Sequence, residues 1–279
     1  MTNKKRILIL GKNSYVGCSF KKYIDEYFYD MFEIDSFSAR DDQWKKIDFS
    51  KYYSVFNCVG IAHVKETAKN REMYYKVNRD LSIELAEKSK NEGVKQFIFL
   101  SSMSVYGKDI GHISKRDEPT PVSAYGKSKL EADKYINNLS CNSFSVACIR
   151  PPMIYGKNCK GNYQTLRKLA LTMPMFPSID NERSMIYIDN LCDFIRNLIE
   201  GGQAGLFLPQ NKLYVHTREM VELIAKENGK NIHFSGIANP VLRTVPLSKI
   251  KKAFGSLTYE RCDLVDKYSF EESLRFTEN

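Results

Sequence analysis

Arg6–Leu10 (RILIL) is a β-prone apolar run that passes directly into Gly11-Lys12-Asn13-Ser14-Tyr15-Val16-Gly17. Helical spacing comes next, with Val16, Phe20, Tyr23, Ile24 and Tyr27 on one face. A strand, a glycine-rich turn and a helix in this order open a parallel α/β sheet. They also aim the first amides of the helix at one point, where a pyrophosphate is stabilised. Gly11 permits the tight turn, and Gly17 lets the helix approach the strand. Ser14 stands where a middle glycine is usual; it is small and adds a hydroxyl. Two glycines at this spacing have little specificity alone, so the reading depends on the rest of the chain.

Strand and helix signals continue to alternate, as right-handed βαβ units require. Met31–Ile34 reads as the second strand, closed by Asp35, 24 residues after Gly11. A carboxylate there accepts both ribose hydroxyls of an adenosine and favours NAD; Arg40 nearby keeps NADP open. The alternative is an ordinary strand-end turn residue. Asp48, after a short strand around Lys45–Ile47, is a candidate adenine contact, with Phe49 beside the ring. Ser54–Val59 is a buried strand leading to Gly60-Ile61-Ala62-His63, a small-residue turn on which a dinucleotide can lie. His63 reads as a loop histidine or a substrate-loop contact. A helix over Glu72–Asn91 carries Asn78, an anchor for backbone or cofactor loops, and Gly93 ends it. Lys95–Leu100 (KQFIFL) is a strand with Ser101-Ser102 at its C-terminal end, where open parallel sheets bind ligands.

Ser101–Gly107 (SSMSVYG) and Tyr125–Lys129 (YGKSK) enclose a polar loop with Pro119 and Pro121. On a helix, Tyr125 and Lys129 share a face. A tyrosine has an unperturbed pKa of about 10, and a cation beside it lowers that value toward working range. The Ser102 hydroxyl can share the same substrate oxygen. This is a proton-transfer site for a carbonyl/alcohol pair, and it needs a hydride carrier nearby. Phe144–Ile149 is another strand, ended by Arg150-Pro151-Pro152. After Gly156 the character changes. A polar loop, Lys157–Asn162, precedes a helix over Tyr163–Leu171. Asn181–Asn190 then forms a short strand running into a helix over Leu191–Glu200. Arg183 suits bidentate capture of a diphosphate; an exposed ion-pairing arginine is the alternative. An edge strand near Leu206–Leu208 and a helix over Arg218–Asn228, capped by Thr217, complete the pattern.

The expected fold class is α/β, a Rossmann-type doubly wound parallel sheet with a small C-terminal lobe. Residues 1–156 are assigned to the dinucleotide-binding domain, with returns near 185–200, and residues 157–279 mainly to the lobe. A chain of 279 residues can hold both. The formal net charge of +9 is spread along the chain rather than clustered with aromatics, which argues against nucleic acid. No apolar run approaches the roughly 20 residues of a spanning helix, so no membrane insertion is expected. The seven cysteines are dispersed without zinc-site spacing, which points to a reducing cytoplasm and no metal.

In order, GKNSYVG, Asp35, SSMSVYG, YGKSK, RPPMIYG and RSMIYIDN resemble the extended short-chain dehydrogenase/reductase superfamily, in its nucleotide-sugar epimerase/dehydratase branch. The resemblance implies Tyr125 as acid/base, Lys129 as its electrostatic partner and nicotinamide-ribose ligand, and Ser102 as the hydroxyl on the substrate's C4 oxygen. Gly11, Ser14, Tyr15, Val16, Gly17, Gly60 and Asn78 match the cofactor loops, and Asp35, Asp48 and Phe49 match the adenosine contacts. Arg183 matches the diphosphate arginine, and Ser104 and Asn162 are added as substrate contacts. Met153 stands where epimerases usually have Asn, and Asn190 where Asp is usual. The Asp-Glu pair that 4,6-dehydratases use after the serine is missing, which argues against dehydration. A bacterial subgroup of UDP-glucose 4-epimerase-like and UDP-4-keto-sugar reductase-like proteins of surface-polysaccharide pathways is the nearest likeness. NAD is the implied cofactor, with NADP open, and a nucleotide sugar the implied substrate; members often form homodimers. The short chain and Met153 favour a 4-ketoreductase over a 4-epimerase. A non-catalytic dinucleotide-binding regulator is the alternative of another class.

Overall fold

A computed structural model of the chain describes residues 4–62, 64–236, 254–261 and 266–279. The chain divides into two compact units. The first comprises Met1–Gly107, Glu118–Pro151 and Leu191–Pro209; the second comprises Lys108–Asp117, Pro152–Asn190 and Gln210–Asn279. The first unit thus holds most of residues 1–156 together with the return at Leu191–Pro209, and the second unit also takes Lys108–Asp117.

The first unit is built on a six-stranded parallel sheet. Its strands are β1 (Lys5–Leu10), β2 (Phe32–Phe37), β3 (Ser54–Asn57), β4 (Gln96–Leu100), β6 (Ser145–Ile149) and β10 (Gly205–Phe207), in spatial order β10-β6-β4-β3-β1-β2. Ile7, Leu8, Ile9 and Leu10 are all fully buried, as expected of a strand covered on both faces. Leu8, Leu10, Val55, Phe97, Phe99, Val146 and Cys148 pack on one face with Leu85 and Ala86 of α3 (Leu81–Asn91) and Ala132 and Ile136 of α4 (Ala124–Asn138). Side chains alternate along a strand, and the other face packs on α1 (Tyr15–Tyr27), where Phe20 meets Phe56 edge-on at 5.5 Å. The Tyr23 hydroxyl donates to Asp193 of α6 (Ile188–Glu200) at 2.9 Å, which ties two helices of that layer together. From β1 the chain winds outward to β2, then returns to β3 on the other side of β1 and continues outward in that direction. The switch point, where such sheets bind ligands, therefore lies at the C-terminal ends of β1 and β3.

The connection from β2 to β3 contains no crossover helix. It holds one 3-10 turn, Asp42–Lys46, capped by Asp41. Trp44, Phe49 and Tyr52 from this connection insert among Leu8, Leu10 and Val55. Two expectations are corrected here. Lys45–Ile47 is the end of the 3-10 turn and its C-cap rather than a strand. Phe49 is fully buried in the core, and its amide donates to Glu92, so its ring does not lie beside an adenine.

The long helix expected over Glu72–Asn91 has three parts: α2 (Arg71–Tyr74), a π-helical segment Tyr75–Asp80, and α3. A π segment displaces side chains from regular register and is frequent at functional sites; Asn78 lies inside it.

Among the described residues, the second unit contains three parallel strand pairs: β7 (Met153–Tyr155) with β9 (Met185–Tyr187), β5 (Gly111–Ile113) with β12 (Leu257–Tyr259), and β8 (Met175–Pro177) with β11 (His233–Ser235). Its helices include α5 (Asn162–Thr172), α7 (Thr217–Glu227) and α8 (Phe270–Glu278). Tyr155 is buried against Tyr163, and its hydroxyl meets Ser273 and accepts from Asn211. Asn190 donates to the Tyr268 carbonyl and accepts from the Tyr268 amide, both at 3.0 Å. An aspartate could not do both, which gives a local reason for the departure at this position. Among the described residues, no helix is long and apolar enough to cross a membrane, and the six described cysteines are free thiols.

Candidate active site

The C-terminal end of β1 enters the glycine turn at Gly11, whose φ is +105°. A Cβ there would lie 3.1 Å from the Cys58 carbonyl group, so the position needs glycine for both conformation and space. Ser14 is the N-cap of α1. Its Oγ accepts from the Gly17 amide and donates to Cys58 Sγ, both at 3.0 Å. Burial pushes the Cys58 thiol up to about 12, which keeps it a donor to the Leu10 carbonyl. A Cβ on Gly17 would sit 2.7 Å from both Cys58 Sγ and Ser14 Oγ. The hydroxyl that replaces the middle glycine therefore acts first as a helix cap. Tyr15 and Val16 form the first turn of α1, with Val16 buried.

β3 ends in the turn at Gly60, and Asn78 holds it. The fully buried Asn78 accepts from the Ile61 amide at 2.7 Å and donates to the Ile61 carbonyl and to Ser128 Oγ. A Cβ on Gly60 would lie 3.2 Å from Asn78 Oδ1 and 3.3 Å from Lys129 Nζ. The Lys129 ammonium donates to the carbonyls of Leu100 (2.8 Å) and Val59 (3.3 Å) and lies 4.7 Å from the centre of the Phe99 ring. Burial lowers its pKa to about 8, against the opposing influence of Cys58 and Asp133.

Ser102 comes after β4 and caps the 3-10 turn Met103–Tyr106, its Oγ accepting from the Ser104 amide at 3.1 Å. The Ser102 hydroxyl also lies near enough to the Tyr125 phenol to act on its pKa. Tyr125 lies in the first turn of α4, whose N-terminus is capped twice: Ser123 Oγ accepts from Gly126, and Glu66 accepts from Ala124. The Tyr74 ring packs edge-on against Tyr125 at 6.4 Å. Burial pushes the Tyr125 pKa up; the nearby Ser102 hydroxyl opposes this, and Tyr74 adds to it. The expectation was a phenol lowered by Lys129. Instead, the ammonium is held by two strand-end carbonyls and the phenol stays protonated.

A buried ion pair behind these residues went unread in the sequence. Arg150 Nε and Nη2 donate to the two oxygens of Asp133 at 2.8 and 3.2 Å, and Nη1 donates to the Tyr106 hydroxyl at 2.9 Å. Both charged side chains are under 10% exposed. The pair locks α4 to the end of β6 and to the serine turn. Asp133 lies four residues beyond Lys129, a spacing that could have signalled it. Close backbone approach also explains two glycines: a Cβ on Gly126 would lie 2.6 Å from the Ser104 carbonyl oxygen, and one on Gly107 would lie 2.1 Å from that of Thr120.

Other expected site residues lie elsewhere. Asp35 does not close β2. It pairs with Leu8 inside the strand, and its carboxylate accepts from Arg6 (3.0 Å) and the Tyr52 hydroxyl (2.8 Å). Two further residues at roughly 3.3 Å each put the strand end about 7 Å beyond it, and it is Phe37 that meets the glycine turn. Asp48 accepts from the amide and hydroxyl of Ser50, and these bonds hold its carboxyl below its usual range. Ser104 is exposed beside Ser102. Arg183 and Asn162 belong to the second unit. Arg183 bridges Val215 and Leu257 through its backbone and donates from Nη1 to the Gly255 carbonyl at 2.6 Å. Burial pushes its pKa down, while Asp109 acts in the opposite direction. Asn162 is the exposed first residue of α5. His63 lies outside the described residues.

The family described as NAD dependent epimerase/dehydratase matches residues 7–206. A UDP-glucose 4-epimerase of Vibrio cholerae is 30% identical over 248 residues, which cover 79% of this chain and 75% of that protein. Among solved structures, UDP-glucuronic acid 4-epimerase from Bacillus cereus in complex with NAD superposes with a TM-score of 0.75 at 16% identity, covering 98% of this chain and 95% of that one. dTDP-4-dehydrorhamnose reductase from Bacillus anthracis in complex with NADP gives 0.71 at 19% identity, covering 98% and 99%. At such identities the two structures speak for the fold alone. The family match runs from Ile7 in β1 to Leu206 in β10 and takes in the Gly11 turn, Ser102, Tyr125 and Lys129, so the chain belongs to the NAD-dependent epimerase/dehydratase family, in the nucleotide-sugar branch of the extended short-chain dehydrogenases/reductases.

Proposed function

We propose that this protein carries out NAD(P)-dependent redox chemistry at C4 of a nucleoside-diphosphate hexose, as a 4-ketoreductase in the making of sugars for surface polysaccharide. The observation that carries the reading is the buried Lys129 ammonium, which ties the ends of β3 and β4 together one helical turn from Tyr125, with Ser102 just beyond β4. The residues at that point fit a nicotinamide dinucleotide. The positive φ at Gly11, the α1 N-terminus and the side-chain-free face of Gly60 leave room for a backbone-hugging pyrophosphate and ribose. When bound, the nicotinamide supplies or accepts the hydride.

The chain's own groups handle the rest. Ser102 Oγ holds the C4 oxygen. Tyr125 gives its phenolic proton to that oxygen as the carbonyl becomes an alcohol. The upward push on its pKa keeps the resting phenol in the acid form that reduction needs. Lys129 carries positive charge toward the ribose and the developing phenolate. In the second unit, Arg183 supplies the cation for the diphosphate. A 4-epimerase uses the same groups in both directions, and the 30% identical relative favours that second reading. The test is the mass of ligands that co-purify, followed by turnover. Loss of NAD(P)H in step with a 4-keto sugar supports the reductase; redox-neutral interconversion of UDP-hexoses supports the epimerase.

Arg183→Ala is expected to raise KM for the nucleotide sugar by one to two orders of magnitude, the roughly 1.5–3 kcal/mol of a charged hydrogen bond. An unchanged KM removes Arg183 from the site.

The buried lysine gives the rate an alkaline limb. With a pKa of about 8, Lys129 is charged below that pH and neutral above it, so kcat/KM falls as pH rises past about 8. Its folded pKa lies below the unfolded 10.5, so the unfolded chain binds more protons between these values, and this group's contribution to stability rises with pH across that window. The alkaline loss of rate therefore has the opposite sign from this group's linkage. A kcat/KM that stays flat from about pH 7 to 9.5 would separate the lysine's charge from the mechanism.

A further inference from the structure

The first amides of an α-helix have no partner inside it. In α4 the Gly126 amide goes to the Ser123 cap, and the Lys127 amide closes the first bond of the helix on the Ser123 carbonyl. The Ala124 amide takes an acceptor from outside, the carboxylate of Glu66, 58 residues earlier in the chain, at 2.9 Å. The other oxygen of Glu66 pairs with Arg71 at 3.2 Å, and the side chain is 30% exposed. The segment that carries Glu66 is held by its own bonds. The Thr67 amide donates to Asn70 Oδ1, and Asn70 Nδ2 donates to the Lys65 carbonyl. The Tyr74 hydroxyl donates to the Val64 carbonyl at 2.7 Å, and the buried Tyr74 ring packs on Tyr125. The residues on either side of Tyr125 are therefore both fixed. Ala124 is bonded to Glu66, and Gly126 is pressed so close to the serine turn that a Cβ there would meet the Ser104 carbonyl oxygen at 2.6 Å.

Ser123 already caps α4, so the helix does not need Glu66 in order to start. What the carboxylate adds is a fixed place for that start. We propose that Glu66 is a positioning residue for the proton transfer: by holding the Ala124 amide it sets the first turn of α4, and with it the Tyr125 phenol, against Ser102 and the substrate oxygen. The inference rests on the reading of Tyr125 as proton donor and deepens it. A carboxylate that served only the helix dipole would act through its charge, and a shorter acid would do as well.

The experiment compares Glu66→Ala, Glu66→Gln and Glu66→Asp in the full chain, in the native and the Tyr125→Phe backgrounds. The readouts are single-turnover reduction of a UDP-4-keto sugar by NAD(P)H, or interconversion of UDP-hexoses if that is the reaction observed, with KM for the sugar and Kd for the dinucleotide. Glu66→Ala should lower kcat by about ten- to a hundredfold, the scale of a small misplacement of a reacting group, with KM and Kd within about threefold. Glu66→Gln keeps the acceptor without the charge and should keep kcat within about threefold of native, whereas Glu66→Asp keeps the charge without the reach and should lose as much as Glu66→Ala. In the Tyr125→Phe background Glu66→Ala should change the residual rate by less than about threefold, because the group it positions is gone. A thermal midpoint measured for each variant sets the assay temperature below its melting. An unchanged kcat in Glu66→Ala, the reverse order of Gln and Asp, or an equal loss in both backgrounds overturns the proposal and leaves the C4 chemistry standing. A Tyr125→Phe chain as active as native overturns the parent reading and the proposal together.

Discussion

Tyr125→Phe is expected to cut turnover by about two to four orders of magnitude, the usual contribution of a positioned general acid. Dinucleotide affinity should stay close to wild type. The substitution removes one hydroxyl and keeps the ring that packs against Tyr74. Ser102 Oγ keeps its bond from the Ser104 amide, so the serine turn stays capped. Stability should therefore change by no more than about 1 kcal/mol, the net of one lost hydrogen bond. Single-turnover rates with a 4-keto nucleotide sugar, alongside a titrated Kd for the cofactor, separate chemistry from binding. A variant that keeps most of its kcat would take the phenol out of the proton path and leave Ser102 or solvent to supply it.

Arg150→Ala is expected to destabilise the first unit by about 3–5 kcal/mol, because it leaves Asp133 charged and alone in the interior. Burial works against the guanidinium's charge, and its bonds to Asp133 and Tyr106 more than offset this. The loss reaches the site through α4, since Asp133 lies one helical turn beyond Lys129. Urea midpoints of Arg150→Ala and of the double variant with Asp133→Leu measure the effect. The double variant should recover much of the loss, because an apolar pair of similar volume carries no buried charge. A loss under about 1 kcal/mol for Arg150→Ala would put the pair on the footing of a surface contact.

Much of this was legible in the sequence, because the parallel sheet writes itself as buried apolar runs. RILIL, SVFN and KQFIFL announced their strands, and the order of the motifs announced the winding. The placing of Ser102, Tyr125 and Lys129 was legible for the same reason: one follows a strand end and the other two lie one helical turn apart. At the adenosine end the strand boundary was misplaced. Asp35 has the right residue type at nearly the right distance from Gly11, but strand length is set by pairing with β1, and that pairing runs two residues further. Phe49 looked like a loop aromatic because the sequence does not reveal that the crossover helix is missing. Without that helix the sheet face must be covered by the connection itself. The electrostatics of Tyr125 and Lys129 were misjudged because spacing shows that two groups share a face, not which backbone carbonyls will claim the ammonium.

The helix-free connection between β2 and β3 also makes the protein convenient to observe. Trp44 is the only tryptophan in the chain, and it is buried in the core of the first unit. Its emission therefore reports the melting of that unit alone, while far-ultraviolet dichroism records both. If the two units unfold separately, the two signals will part along a denaturant series, and their divergence will measure how cooperative the chain is.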